Sequence, residues 1–284
     1  MSATRAQSAP AAVRSRSLDR AAPRSFLADV VVEHGPRDLM GRLFLVADTG
    51  LRERGIFVSF GDCEELKAVN AENRESWSPL LPIFDPLESD VGESNCVAIV
   101  GRDASGKPVL AHASRCYDLG DTLLKDEIES LRILYRDPAK SALPGESLVC
   151  TAPVAARTRG KVVFTGALWV HPEFRGQNLV PLAMNLWRGL AITRWTHELS
   201  FSFMVPKLVK VGLAARAAMQ VDWEVTMTNT PVKRGGVINA GMNWITRDQQ
   251  IEHMRAFVEA ASGAGDAQVD GGVLEGPGQK QIAG

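Results

Sequence analysis

Tyrosine is almost missing from this chain: Tyr117 and Tyr135 are the only two among 284 residues. Any chemistry that depends on a phenol is therefore confined to those two positions. Cysteine is scarce too, and Cys63, Cys96, Cys116 and Cys150 include no Cys-x-x-Cys pair. Their scatter through apolar or element-edge positions predicts reduced core thiols, not a disulfide framework. His34, His112, His171, His197 and His253 are equally dispersed, with no metal-ligand spacing, so no metal is expected. A net charge of -1 gives no footprint for a polyanion, which argues against a nucleic-acid partner. No apolar run approaches the roughly 18 to 20 residues of a membrane helix, and no signal-peptide core precedes Phe26. No membrane partner and a cytoplasmic location are the expectation.

What remains is an ordinary globular composition, 45% hydrophobic and 23% charged. The length allows one large domain or a domain with an extension, and no internal repeat suggests tandem modules. Residues 1–25 are Ala/Ser/Pro-rich and set Arg5, Arg14, Arg16, Arg20 and Arg24 against the single acid Asp19. Such a start is similar to an organellar transit peptide, but a disordered tail is the simpler reading. Residues 260–284 are Gly-rich and read as a second flexible tail, which leaves a domain over 26–259.

Within that domain, 26–33 reads as a strand. Leu39, Met40, Leu43, Phe44, Ala47 and Leu51 have helical spacing, and 56–60 is a short strand. Asp62 begins a capping-box-like helix start, and the prolines of 78–86 exclude a helix there. Residues 96–101 and 108–114 form a hairpin across a Gly-containing turn. Leu124, Ile128, Leu131 and Tyr135 share a helical face, predicting a helix over 121–136 that ends at Asp137-Pro138. Further on, 198–205 alternates as a strand, Pro206 opens a helix toward Met219, 221–228 and 237–244 alternate as strands, and Thr246 to Gln249 is a capping box.

The most informative stretch lies between these. Val162, Val163, Phe164, Leu168, Trp169 and Val170 make a strand that stops at His171-Pro172, where proline removes a ladder donor. After Arg175, Gly176, Gln177 and Asn178, apolar residues recur at Leu182, Leu186 and Leu190, so a helix begins near Val180 with Pro181 in its first turn. Free amides at a helix start, the positive end of its dipole and an arginine just upstream favour a phosphate or pyrophosphate.

This run, Val170-His171-Pro172-Glu173-Phe174-Arg175-Gly176, resembles the approach to the acyl-CoA pyrophosphate loop of the GNAT superfamily of N-acetyltransferases. Arg175 takes the Gln/Arg position of that loop, while Asn178 and Val180 stand where the family has two small residues. The element order over 162–245 agrees with the C-terminal half of such a domain. The resemblance implies an α/β (α+β) GNAT-like acyl-CoA N-acyltransferase fold, a mixed central sheet with helices on both faces. It carries an N-terminal extension and an inserted helix near 121–136 that would cover the acceptor site.

It also implies an enzyme that transfers an acyl group from acetyl-CoA or another acyl-CoA to a small-molecule or peptide amine, inside a V-shaped split between the motif strand and strand 198–205. The loop 78–86 would approach that split. Trp169, Val170, Arg175, Gly176, Gln177, Asn178, Leu179 and Val180 would bind the cofactor, with Trp169 and Trp187 also core residues and His171 packed in the turn. The family's glutamate on the motif strand and its tyrosine after the fifth strand are both missing here. Glu146, His112 and Ser202, with Asp118, are the candidate substitutes. Two alternatives are a GNAT-like binding or interaction module without transfer activity, and a synthase of the N-acyl amino acid or homoserine lactone type.

Overall fold

The computed structural model describes residues 25–269. The expectations for residues 1–24 and 270–284 lie outside the described residues.

Eight strands of the described chain form one sheet: β1 (Phe57–Gly61), β2 (Cys96–Arg102), β3 (Pro108–Asp118), β4 (Ser147–Cys150), β5 (Lys161–Val170), β6 (Leu199–Met204), β7 (Gln220–Thr228) and β8 (Val237–Thr246). Their order is β1-β2-β3-β5-β6-β8-β7-β4. Two antiparallel blocks, β1-β2-β3-β5 and β6-β8-β7-β4, meet at the parallel pair β5/β6, which is joined only at Val162↔Leu199, Val163↔Ser200 and Phe164↔Phe201. Beyond Phe164 the two strands separate.

Helices cover both faces, each because its sequence presents one apolar stripe. On one face lie α1 (Arg37–Arg52), α5 (Leu179–Arg194) and α8 (Arg247–Val269), and with Phe26, Ile99 and Leu110 they bury one core. Thr246 starts α8 as a reciprocal capping box: its Oγ1 accepts from the Gln249 amide at 3.3 Å, and its own amide donates to Gln249 Oε1 at 3.1 Å. On the other face, α2 (Cys63–Glu72), α3 (Leu124–Glu129), the loop carrying Trp77 and Phe84, and β4 bury a second core with Phe164, Phe201 and Met242. Asp62 caps α2 as its sequence predicts, accepting from the Glu65 amide at 2.8 Å.

Several expectations are corrected. Residues 26–33 are not a strand: a 3-10 turn at Phe26–Ala28 leads into irregular chain, and the amides of Glu33 and His34 donate to the Thr193 carbonyl. The helix foreseen over 121–136 is only α3, because Leu131 takes a left-handed φ of +64° and folds the chain back, so that the Ile133 amide reaches the Glu127 carbonyl. The apolar face is still buried, but by a compact turn. Short α4 (Pro138–Ser141) follows. Between Pro206 and Met219, Gly212 at φ +77° splits the expected helix into α6 (Pro206–Lys210) and α7 (Leu213–Arg216). At the C-terminal end, α8 runs on to Val269, past the boundary drawn at 260.

Candidate functional site

The separation of β5 from β6 opens a cleft of about 530 Å³. One wall is β5 from Phe164 to Val170; the other is Ser202, Phe203 and Met204 of β6 with Leu208 and Leu213 of α6 and α7. The segment Ser76 to Leu81 closes the third side, so the proline-rich loop does reach the cleft, as its position in the resemblance implies. Trp169 is buried there, stacked on Trp77 at 5.3 Å and donating its indole N–H to Ser76 Oγ at 3.0 Å. Nothing in the sequence pattern couples residue 169 to residues 76 and 77, which meet it only across the fold.

The wall on β5 is irregular. Ala113 pairs with Gly166 and Ala111 with Trp169, which leaves His112 opposite Ala167 and Leu168 without ladder partners. Ala167 sits at φ +54°. An extra residue in one strand turns peptide groups out of the ladder, and here the bulge lies on the cleft wall.

At the mouth, β5 passes through the Pro172–Phe174 turn to the start of α5. Gly176 (φ +81°) and Asn178 (φ +52°) are both left-handed. Asn therefore keeps the backbone shape that glycine would give at 178. Its side chain makes no capping hydrogen bond, so the first amides of the sixteen-residue α5 have no side-chain cap. A Cβ at Gly176 would meet nothing within 4 Å, so the loop has open space beside it. Arg175 is exposed and holds the turn shut, Nε donating to the Val170 carbonyl at 3.0 Å and Nη2 to the Ser76 carbonyl at 3.3 Å. Arg54, just beyond α1, donates to the Gln177 carbonyl at 3.0 Å and to the Gly50 carbonyl at 2.7 Å. This second guanidinium at the loop lies far off in sequence, with no local signal to mark it.

Trp169, Val170 and Arg175 line the cleft, whereas Gly176, Gln177, Asn178, Leu179 and Val180 follow Arg175 into the start of α5 and are not among its lining residues. Of the candidate catalytic residues, His112 and Ser202 line it too. His112 is buried, with Nε2 2.7 Å from Thr165 Oγ1, and burial pushes its pKa well below the ordinary 6.5. At neutral pH it is an uncharged imidazole. Glu146 is not brought there. It accepts twice from the Tyr135 hydroxyl, at 3.0 and 2.9 Å, and from the Leu143 amide, pinning the chain before β4. Asp118 is likewise remote, at the end of β3 beside Lys161. The residues of α3 do not line the cleft, so this segment does not cover it. His171 packs in the turn as expected, its Nδ1 accepting from the Glu173 amide.

Among the described residues no carboxylate lines the cleft, and the one charged side chain lining it is Arg175. Among the described residues no cluster of His, Cys, Asp and Glu could hold a metal ion, and no helix is long and apolar enough to cross a membrane.

No known family description and no curated protein matches the chain. Among solved structures, it is similar to the spermidine/spermine N-acetyltransferase of Vibrio cholerae at 9% identity and TM-score 0.42, covering 70% of this chain and 97% of that one. It is similar also to Arabidopsis thaliana NAA60 in complex with acetyl-CoA, at 11% identity and TM-score 0.41, covering 68% of this chain and 99% of that one. Two antiparallel blocks joined by a short parallel seam, with a bulged strand at the split and helices on both faces, make the described chain an α/β fold with a mixed central sheet.

Proposed function

We propose that this chain is an acyl-CoA-dependent N-acyltransferase that takes acetyl-CoA or another acyl-CoA as co-substrate and a small-molecule or peptide amine as acceptor. The observation that carries the proposal is the cleft between β5 and β6, where the lining residue Arg175 leads within three residues into the uncapped, left-handed start of α5. Free amides and the positive end of a helix dipole suit a pyrophosphate. Arg54 and Arg175 add charge beside that helix start, and the open space beside Gly176 leaves room for the group.

The reaction forms a C–N bond from the amine to the thioester carbonyl carbon and breaks its C–S bond, with the ammonium's protons ending on solvent and on the departing thiolate. Holding both reactants along one cleft wall is the main contribution required of the protein. The peptide groups at Ala167 and Leu168, left without β3 ladder partners by the bulge and lining the cleft, would be the donors to a developing oxyanion on this wall. Neutral His112, linked to Thr165 Oγ1, is the one uncharged base lining the cleft, and the Thr165 hydroxyl is its route to the acceptor nitrogen. The missing carboxylate and tyrosine are the one observation that favours a binding module without transfer activity.

Calorimetry and thermal shift with acetyl-CoA and longer acyl-CoAs separate these outcomes. Ligand at about 100 times its dissociation constant stabilises the native state by roughly 2.7 kcal/mol. Binding that weakens in Arg175→Ala, followed by release of free thiol on adding amines, supports the enzyme. Binding without thiol release across an amine panel leaves the binding module, and no binding of any CoA species overturns both.

A further inference from the structure

Away from the acyl-CoA cleft, a larger cavity of about 730 Å³ lies between the irregular chain at Asp29 to Glu33, the start of α2 and the first residues of β2. Cys63 and Cys96 both line it, and their sulfurs are 3.4 Å apart. Neither is open to bulk solvent, at 6% and 9% exposure, so the cavity is the approach to the pair. Cys63 is the first residue of α2, whose positive dipole end favours a thiolate, while burial and the carboxylates of Asp62 and Glu64 oppose one. Arg115, the cross-strand partner of Cys96, is a second source of positive charge: its guanidinium is buried, Nη1 and Nη2 bond the carbonyls of Ile83 and Asp90, and Nε has no partner.

The geometry points to Cys63 and Cys96 as a reactive dithiol site, closed to a disulfide by exchange with a small-molecule disulfide that enters the acidic cavity. Cys63 is the attacking sulfur. The Cys96 thiol, hydrogen-bonded to it, holds the Cys63 pKa below the ordinary value, and the nearby Arg115 acts in the same direction. In the first step the Cys63 thiolate bonds to one sulfur of the incoming disulfide and expels the other as thiolate. Cys96 then gives up its proton and attacks the Cys63 sulfur, expelling the second thiolate. The protein loses two protons and two electrons, and the small disulfide leaves as two thiols. The resolving sulfur already lies in van der Waals contact, so the mixed disulfide is short-lived.

The cavity also selects its reagent. Among the described residues, Asp29, Glu33, Asp62, Glu64 and Glu93 line it, against Arg194 alone among cations. A cationic disulfide is therefore favoured over an anionic one. The remaining thiols differ: Cys116 is half-buried with its pKa pushed up to about 11 by burial, and Cys150 is fully buried.

The test treats the full chain with cystamine and, separately, with glutathione disulfide, and follows intact mass and peptide maps. The expected product with cystamine is loss of two hydrogens and a Cys63–Cys96 cross-linked peptide, reversed by dithiothreitol, forming roughly tenfold or more faster than with glutathione disulfide. Cys96→Ser should stop at a stable cystamine adduct on Cys63, and Cys63→Ser should form neither product, while Cys116→Ser closes like the parent. A cross-link through Cys116 or Cys150, an adduct on Cys96 in place of Cys63, or no reaction of the parent chain overturns the assignment. If Cys63→Ser does not fold, the parent peptide map and the Cys96→Ser adduct still decide it. Equal rates with the two reagents overturn the selection by charge.

Discussion

The imidazole of His112 lies flat on the indole of Trp187, ring centroids 3.7 Å apart and planes within 9°. One residue comes from the central sheet and the other from the middle of α5, so the stack fixes the helix against the strand that backs the cleft. It also holds His112 neutral, with Nε2 committed to Thr165.

If His112 accepts the acceptor's proton through Thr165, His112→Phe keeps an aromatic ring against Trp187 and removes only the base. We expect kcat for the amine turned over to fall about 100-fold. The dissociation constant for acyl-CoA should stay unchanged by calorimetry. An equal loss in both would assign His112 to packing alone.

Acid should destabilise the fold before the carboxylates are fully protonated. His197 is buried, between the Trp195 carbonyl at 3.3 Å and Ser200 and Gln250 at 3.2 and 3.3 Å, and burial pushes its pKa from 6.5 to about 4. The unfolded chain takes up this proton below about pH 6.5, whereas the folded chain does not until about pH 4. The contribution is therefore complete above the unfolded value and is lost as pH falls toward the folded one, amounting to on the order of 3 kcal/mol in all. His112 acts in the same direction. Urea denaturation at pH 7 and pH 5 should show His197→Gln losing about 2 kcal/mol less than the parent between the two.

Position 178 tests the loop by conformation alone. Asn178 adopts φ +52°, so Asn178→Gly should leave stability and acyl-CoA affinity nearly unchanged. Asn178→Val forces a β-branched residue into the left-handed region, at a cost of about 1 to 2 kcal/mol. Its Tm should drop, and acyl-CoA binding should weaken with it.

The seating of α5 on α1 depends on two missing side chains. A Cβ at Gly189 would come within 2.7 Å of Leu43 Cδ2 and Phe44 Cε1, and one at Gly50 within 2.7 Å of Leu182 Cδ2. Gly189→Ala gains helix propensity worth about 1 kcal/mol but overpacks this contact, at a typical 1 to 3 kcal/mol. We expect net destabilisation in denaturant melts.

Where the chain's local chemistry decided the structure, the sequence could be read directly. The strand ending at His171-Pro172, the helix after Asn178, both capping boxes and the hairpin of β2 and β3 all follow from periods, caps and turn residues in place. What failed depended on distant partners. Leu124, Ile128, Leu131 and Tyr135 have helical spacing, yet the left-handed Leu131 buries them as a turn, and period alone does not distinguish the two. β4 is four residues long and exists through its pairing with β7, much later in the chain. Glu146 had the right chemistry for a base but belongs to Tyr135, whereas Ser76 and Trp77 reach the cleft, and Arg54 the Gln177 carbonyl, from segments with no motif.

The seam between β5 and β6 has a mechanical consequence. With only three residue pairs joining two otherwise stiff antiparallel blocks, the sheet is weakest in bending along the line that bounds the cleft. Flexing there widens or narrows the gap without breaking either ladder, and α1, α5 and α8, packed in one cluster with Ile99, Leu110 and Ile245, bridge the two blocks and limit how far it goes. Substitutions within that helical cluster, away from the cleft itself, would thus set how wide the gap stands.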